Sequence, residues 1–287
     1  MLNMSNTPPA VRRVQVGLIL RNLRYAAGVS PAKISERLDW YSGKLTKVER
    51  GDLTASAAEI EVMLEMYGVA DDQEQAERLR ELGKEARRRD QPAKVPDWAA
   101  TSIALEGASA EIKAYDPEVI PAILQTEHYA RAVLSNPLDE SVDPEPGVAE
   151  RMMRADRALH DDGPQVWVIL GEAALHRQIG DYQVLRDQLQ HLRKMAKRSN
   201  VVLQIIPFTT GEHVALGSGW KLFTLEEPEA TYVYLEGLTS ADYIDRPAHT
   251  DAYKRAFDRL RAAAASERET ATMLDRRIKE LRHQTTE

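Results

Sequence analysis

The chain has 287 residues, 43% hydrophobic and 29% charged, which is a globular composition with room for a small module and a larger domain. It contains no cysteine, which excludes disulfides, thiolate metal sites and a cysteine nucleophile and fits a reducing compartment. The net charge of −7 is unevenly spread: residues 11–50 carry nine Lys/Arg against three Asp/Glu, residues 51–90 six against eleven, and the remainder nets −8. A basic tip on an acidic body is what attraction to a polyanion, and orientation on it, requires.

The opening MLNMSNTPPAVRR lacks the apolar core of a signal peptide. The run Val16-Gly-Leu-Ile-Leu20 is too short to cross a bilayer. A cytoplasmic protein with no membrane partner is therefore expected. From Thr7-Pro8-Pro9 a helix is predicted up to Gly28, with apolar residues at Val11, Val14, Leu18, Leu20 and Leu23. Ser30 and Pro31 read as N-cap and first residue of a short helix over 31–38. Asp39-Trp40-Tyr41 is the turn, and Ser42 is expected to cap a third helix over 43–50 that Gly51 ends. A fourth helix spans 56–67 and a fifth 71–89, its first turn acidic and its last basic, as the helix dipole favours. The predicted first domain, 1–90, is thus an all-α bundle of five helices.

The Pro-bearing stretch 91–96 reads as a linker and 97–287 as a second domain. There the predicted helices are 97–114, 126–135, 147–160, 172–179, 181–199, 249–264 and 266–284. Short β-branched runs at 166–170 and 201–206 read as buried strands, and 221–225 with 231–235 as a hairpin around Glu227-Pro228-Glu229. The expected fold is α+β, a small sheet packed by helices.

In the first domain Ile34, Leu38, Leu45 and Val48 staple the second and third helices together, with small Ser35 where they cross. Ser42, Gly43, Thr46 and Lys47 then fall on the opposite, outward face, where they can meet base edges, and Lys44 and Arg50 flank them as phosphate contacts. A bundle used only for protein contacts is the alternative. The segments Leu20-Arg-Asn-Leu-Arg-Tyr-Ala-Ala-Gly28, Ser30-Pro-Ala-Lys-Ile-Ser-Glu-Arg-Leu38 and Trp40-Tyr-Ser-Gly-Lys-Leu-Thr-Lys-Val-Glu-Arg-Gly51 resemble the XRE (Cro/repressor-type) helix-turn-helix family. The resemblance implies that Arg24 pairs with Glu49 and that Ser42, Gly43 and Lys47 read bases. Where this chain has Pro31 the family often has Gln, so a side-chain phosphate contact is lost, and the backbone N–H groups of Ala32 and Lys33 are the expected substitutes.

The second domain resembles the C-terminal domain of actinobacterial regulators of the WhiJ-like and antitoxin-like kind. The matching stretches include Val119-Ile-Pro-Ala-Ile-Leu-Gln-Thr-Glu-His-Tyr-Ala-Arg131, Gly171-Glu-Ala-Ala-Leu-His-Arg-Gln-Ile-Gly180 and Val202-Leu-Gln-Ile-Ile-Pro-Phe208. Ala122 stands where that family usually shows Gly. The resemblance implies a transcription factor working with a small, separately encoded acidic partner protein.

Glu172, His176, His213 and Glu236 are the residues acid–base chemistry would recruit, but no zinc-binding His pair and no Gly-x-Ser-x-Gly accompany them. Neither an enzyme nor a cofactor or metal is expected, and the histidines read as structural. Glu172, His213, Gly217, Gly219 and Trp220 mark a candidate loop for a partner or, alternatively, for a small-molecule ligand. The overall expectation is a homodimeric regulator, acting as a repressor on a double-stranded DNA operator.

Overall fold

The computed structural model describes residues 9–88, 97–135, 143–226, 229–238 and 240–284. The chain divides into two compact units, one ending at Ala108 and the other beginning at Ser109. The expected linker 91–96, Thr7 and Pro8 at the first helix start, Arg89 at the fifth helix end, and Glu227-Pro228 of the hairpin lie outside the described residues.

The first unit holds α1 (Pro9–Ala26), α2 (Pro31–Arg37), α3 (Lys44–Arg50), α4 (Ala57–Tyr67), α5 (Gln73–Ala86) and α6 (Asp97–Ala108). Ser30 caps α2 by accepting from the Lys33 N–H, and Asp72 caps α5 in the same way through Gln75. Val16, Leu20, Ile34, Leu45, Val48, Ile60, Leu64 and Leu79 close over one apolar core. The expected cap on α3 is corrected: the N-cap is Gly43, in the left-handed region at φ 91, and no side chain caps the helix. Glycine takes that conformation without the Cβ clash that Ser42 would meet one residue on.

The approach of α1 to α3 is unusually close. A Cβ at Gly17 would stand 2.4 Å from the Val48 carbonyl oxygen, and one at Gly51 would stand 2.7 Å from the Val14 nitrogen. Two helices therefore meet backbone to backbone, and α3 has little freedom to rotate.

The second unit is a mixed six-stranded sheet in the order β3-β2-β1-β4-β5-β6. β1 (Glu111–Asp116), β2 (Gln165–Gly171) and β3 (Val201–Ile206) run parallel, while β4 (Trp220–Leu225), β5 (Ala230–Glu236) and β6 (Ala241–Ile244) continue antiparallel from the other side of β1. One face, through Ala114, Val166, Val168, Leu203 and Ile205, packs on α7 (Glu127–Leu134), α8 (Glu145–Ala158), α10 (Tyr182–Met195) and α12 (Glu267–Gln284). The other, through Tyr115, Ile169, Trp220, Leu222 and Val233, packs on Phe257 and Leu260 of α11 (Pro247–Ala263). α9 (Ala173–His176) is a single turn, shorter than the predicted 172–179.

The largest departure from expectation is at 97–114. The helix stops at Ala108, and Glu111–Asp116 is the central strand. Its residues, EIKAYD, carry moderate helix propensity, and only pairing on both sides, with β2 and β4, makes them a strand. β6, four residues long, also escaped prediction. Fully buried Gln188 of α10 ties the β1–α7 connection down, accepting from the Thr126 N–H at 2.6 Å and donating to the Leu124 carbonyl at 2.7 Å.

Gly17→Ala is expected to wedge α1 from α3 and cost about 1–3 kcal/mol, the usual penalty of overpacking. A thermal melt followed by circular dichroism measures it, and an unchanged midpoint would show that the two helices can separate freely.

Candidate nucleic-acid interface

The inward side of α3 is held by Leu45, Val48 and Glu49, all buried. Glu49 is 7% and Arg24 5% exposed, and they form a two-pronged pair, Nε to Oε1 at 2.6 Å and Nη2 to Oε2 at 2.9 Å. Arg24 also donates to the Val29 carbonyl at 3.3 Å, which ties the α1–α2 turn to the same anchor. Hydrogen bonding to Glu49 holds the Arg24 guanidinium further above its ordinary value, despite the opposing effect of burial. A pair removed from water in this way contributes geometry more than net stability.

The front of α3 is clamped by α4. Ser56 and Glu59 form a reciprocal capping box, with Glu59 Oε2 accepting from the Ser56 N–H at 2.7 Å. The other oxygen, Oε1, accepts from Trp40 Nε1 in the turn and from Lys44 Nζ at the start of α3, both at 2.7 Å. Lys44 Nζ also lies 4.3 Å from the centre of the Trp40 ring. Burial pushes the Glu59 carboxyl up, but hydrogen bonds from Lys44, Ser56 and Trp40 outweigh it and hold it at about 2. Asp39 completes the turn in the left-handed region at φ 51, which Asp tolerates better than most residues.

This geometry sorts the expected site residues. Ser42, Gly43, Thr46, Lys47 and Arg50 are exposed and share the outward side of α3, and Ala32 and Lys33 are exposed on α2. Lys44 belongs to a different group, because its ammonium is committed to Glu59 and Trp40. The Lys33 N–H is likewise engaged by Ser30 Oγ at 3.3 Å, so Lys33 offers its side chain rather than its backbone. Tyr41, 56% exposed beside Ser42, was not anticipated. Glu59 was not anticipated either, although the Ser-x-x-Glu spacing at 56–59 announces a capping box.

In the second unit the expected loop residues separate. Trp220 is buried against Tyr253 and Phe257 and belongs to the core. The Glu172 carboxylate accepts the Phe208 N–H at 2.7 Å and pins the start of the loop. His213 meets the Tyr115 hydroxyl at 3.3 Å, with the rings edge to face. Gly217 has a left-handed φ of 79, while Gly219 lies against Pro117 and the Tyr115 carbonyl. Three large apolar side chains of the loop face solvent: Phe208 at 63%, Leu216 at 64% and, less so, Val214. No group of metal-ligating side chains and no helix long and apolar enough to cross a membrane occurs among the described residues.

A family model described as a helix-turn-helix domain matches residues 15–82, which contain the whole α2–α3 arrangement. A second, described as a domain of unknown function (DUF5753), matches residues 99–276, more than half of the chain. The chain belongs to the DUF5753 family. Neither a curated protein nor a solved structure matches it. The DUF5753 match takes in the entire six-stranded sheet, and the helix-turn-helix domain before it points to a DNA-binding regulator.

Glu49→Leu alone would leave Arg24 buried without a counter-charge and is expected to cost about 3–5 kcal/mol, whereas Arg24→Met with Glu49→Leu should cost markedly less. Denaturant unfolding of the three proteins decides this, and a double variant no better than the single would contradict the pair.

The Glu59 clamp gives a pH signature. Its folded value lies below the ordinary 4.5, so its contribution is complete above that value and is lost as pH falls towards about 2. The stability gap between wild type and Glu59→Gln should therefore close over that interval. A gap of constant size from pH 5 to pH 2 would show that Glu59 is not held down.

Proposed function

We propose that the protein is a transcriptional regulator that reads a double-stranded DNA operator through the outward side of α3. The observation that carries this reading is the division of one seven-residue helix. Leu45, Val48 and Glu49 are sealed inward, while Thr46, Lys47 and Arg50, with Ser42 and Gly43 before them, are presented outward. Lys47 and Thr46 meet base edges in the major groove, and Arg50 and the Lys33 side chain meet phosphates. The XRE resemblance supports the same assignment. Binding as a homodimer to paired half-sites about 34–36 Å apart would supply the affinity that one short helix lacks, and occupancy of the operator would repress.

The DUF5753 unit receives the signal. Its resemblance to WhiJ-like and antitoxin-like regulators supports a small acidic protein as the messenger. The exposed Phe208, Val214 and Leu216 on the loop after β3 offer apolar surface for it. A second reading, a small-molecule ligand, is favoured by an unpartnered carboxylate at Asp116, where burial pushes the group up to about 6.

The test begins with operator selection from random DNA using the full chain. On the selected sequence Lys47→Ala should cost about 1–3 kcal/mol and relax preference at one base pair. Arg50→Ala should weaken all sequences alike and reduce the salt slope by about 1. Unchanged affinity in both variants would mean that α3 does not enter the groove.

A further inference from the structure

At the carboxyl end of β1 the sheet register assembles a polar cluster on the face that α8 covers. Ala114, Lys221, Tyr234 and Tyr243 stand opposite one another in turn across β1, β4, β5 and β6. Cross-strand partners point the same way, so Asp116 and Glu236, two residues farther along β1 and β5, share that face. Between them, one residue before β4 begins, is Gly219, which has no side chain. A Cβ built there would lie 3.8 Å from Asp116 Oδ1, so the carboxylate leans over the glycine.

The charges here are poorly matched within the protein. Among the described residues the Asp116 carboxylate accepts no hydrogen bond, and its Oδ2 is closed off from solvent. Burial raises it, Lys221 opposes that rise and Glu236 adds to it. Arg151 of α8 is half-buried and is lowered to about 10 by burial and by Arg154, against the pull of Glu236 and Tyr129. It makes one hydrogen bond, from Nη1 to Gln125 Oε1 at 2.6 Å, out of the five a guanidinium can donate. Tyr129 lies within electrostatic reach of both Asp116 and Arg151. Lys221 sits over the Tyr234 ring at 5.6 Å, and the Tyr234 hydroxyl donates to Glu236 Oε2 at 2.9 Å. A carboxylate oxygen closed off from solvent without a partner is costly to keep unless something completes it, and half-buried Arg151 has donors beyond the one given to Gln125.

The balance of charge narrows what that is. Asp116 and Glu236 face Lys221, Arg151 and Arg154, so a simple cation gains no net attraction, and a simple anion leaves Asp116 uncompensated. We propose that this cluster binds a small zwitterion of the amino-acid class, with its ammonium on Asp116 and its carboxylate on Arg151. The half-buried ring of Tyr243, backed at 5.2 Å by the buried ring of Tyr234, is the surface against which its side chain lies.

This site deepens the small-molecule reading of the DUF5753 unit, and it is tested without DNA, so its failure leaves the operator reading intact. Calorimetric titration of the full chain with each standard amino acid should find one that binds. The matching amine without the carboxylate, and the matching acid without the amine, should each bind at least about tenfold more weakly, the worth of one charge-assisted hydrogen bond. Asp116→Asn and Arg151→Gln should each weaken binding by a similar factor. The proposal is overturned if no amino acid binds, if a single-ended probe binds as well as the zwitterion, or if Asp116→Asn binds normally. The single-ended probes use the wild-type protein, so a variant that failed to fold would not remove the test.

Discussion

Everything proposed for the first unit depends on α3 being fixed in rotation about its own axis. A seven-residue helix cannot hold an orientation through its own hydrogen bonds, so the surroundings must supply it. Three contacts do so from different directions. The Arg24–Glu49 pair grips its back, the missing side chain at Gly17 lets α1 lie directly on its last carbonyls, and Glu59 grips its first residue through Lys44. With those in place, the outward residues are determined. A change of one residue in the turn would swing the exposed set by about 100°, the step of an α-helix, and bring Leu45 or Val48 outward in place of Lys47 or Thr46.

The same logic separates charge that binds from charge that builds. The basic excess of residues 11–50 suggested a general attraction for phosphate, yet two of its most prominent members are consumed internally. Arg24 neutralises Glu49, and Lys44 neutralises Glu59. What remains exposed on the two adjacent helices α2 and α3 is a shorter set, Lys33, Arg37, Lys47 and Arg50. Counting charges along the sequence overstates the electrostatic footprint, because it cannot see which cations already have partners.

Much of the fold was legible in the chain itself. The caps Ser30, Thr126 and Asp181 and the left-handed glycines after α3 and α4 mark helix ends by local chemistry, and local chemistry is what a sequence displays. β2 and β3 were equally plain, being short β-branched runs. β1 was not, because Glu111–Asp116 becomes a strand through partners that lie over fifty and over a hundred residues away. The same distance hid the polar cluster at Asp116, whose members come from β1, β4, β5 and α8. For α3, the outward residues were visible from helical spacing alone. The role of Glu59 required knowing that α4 begins beside the turn, and the misassigned cap at Ser42 required knowing that Gly43 takes a positive φ. Trp220, singled out as a ligand residue, is core because β4 turns it towards Phe257.

The central claim is that the outward side of α3 enters the major groove, and site-directed photo-cross-linking tests it most directly. A photoreactive side chain would be placed at Thr46, on that side, or at Glu81, exposed on α5, in the full chain bound to its selected operator. The account predicts cross-links to bases from position 46 and none from position 81. Base cross-links from 81, or none from 46 on a bound complex, would contradict it.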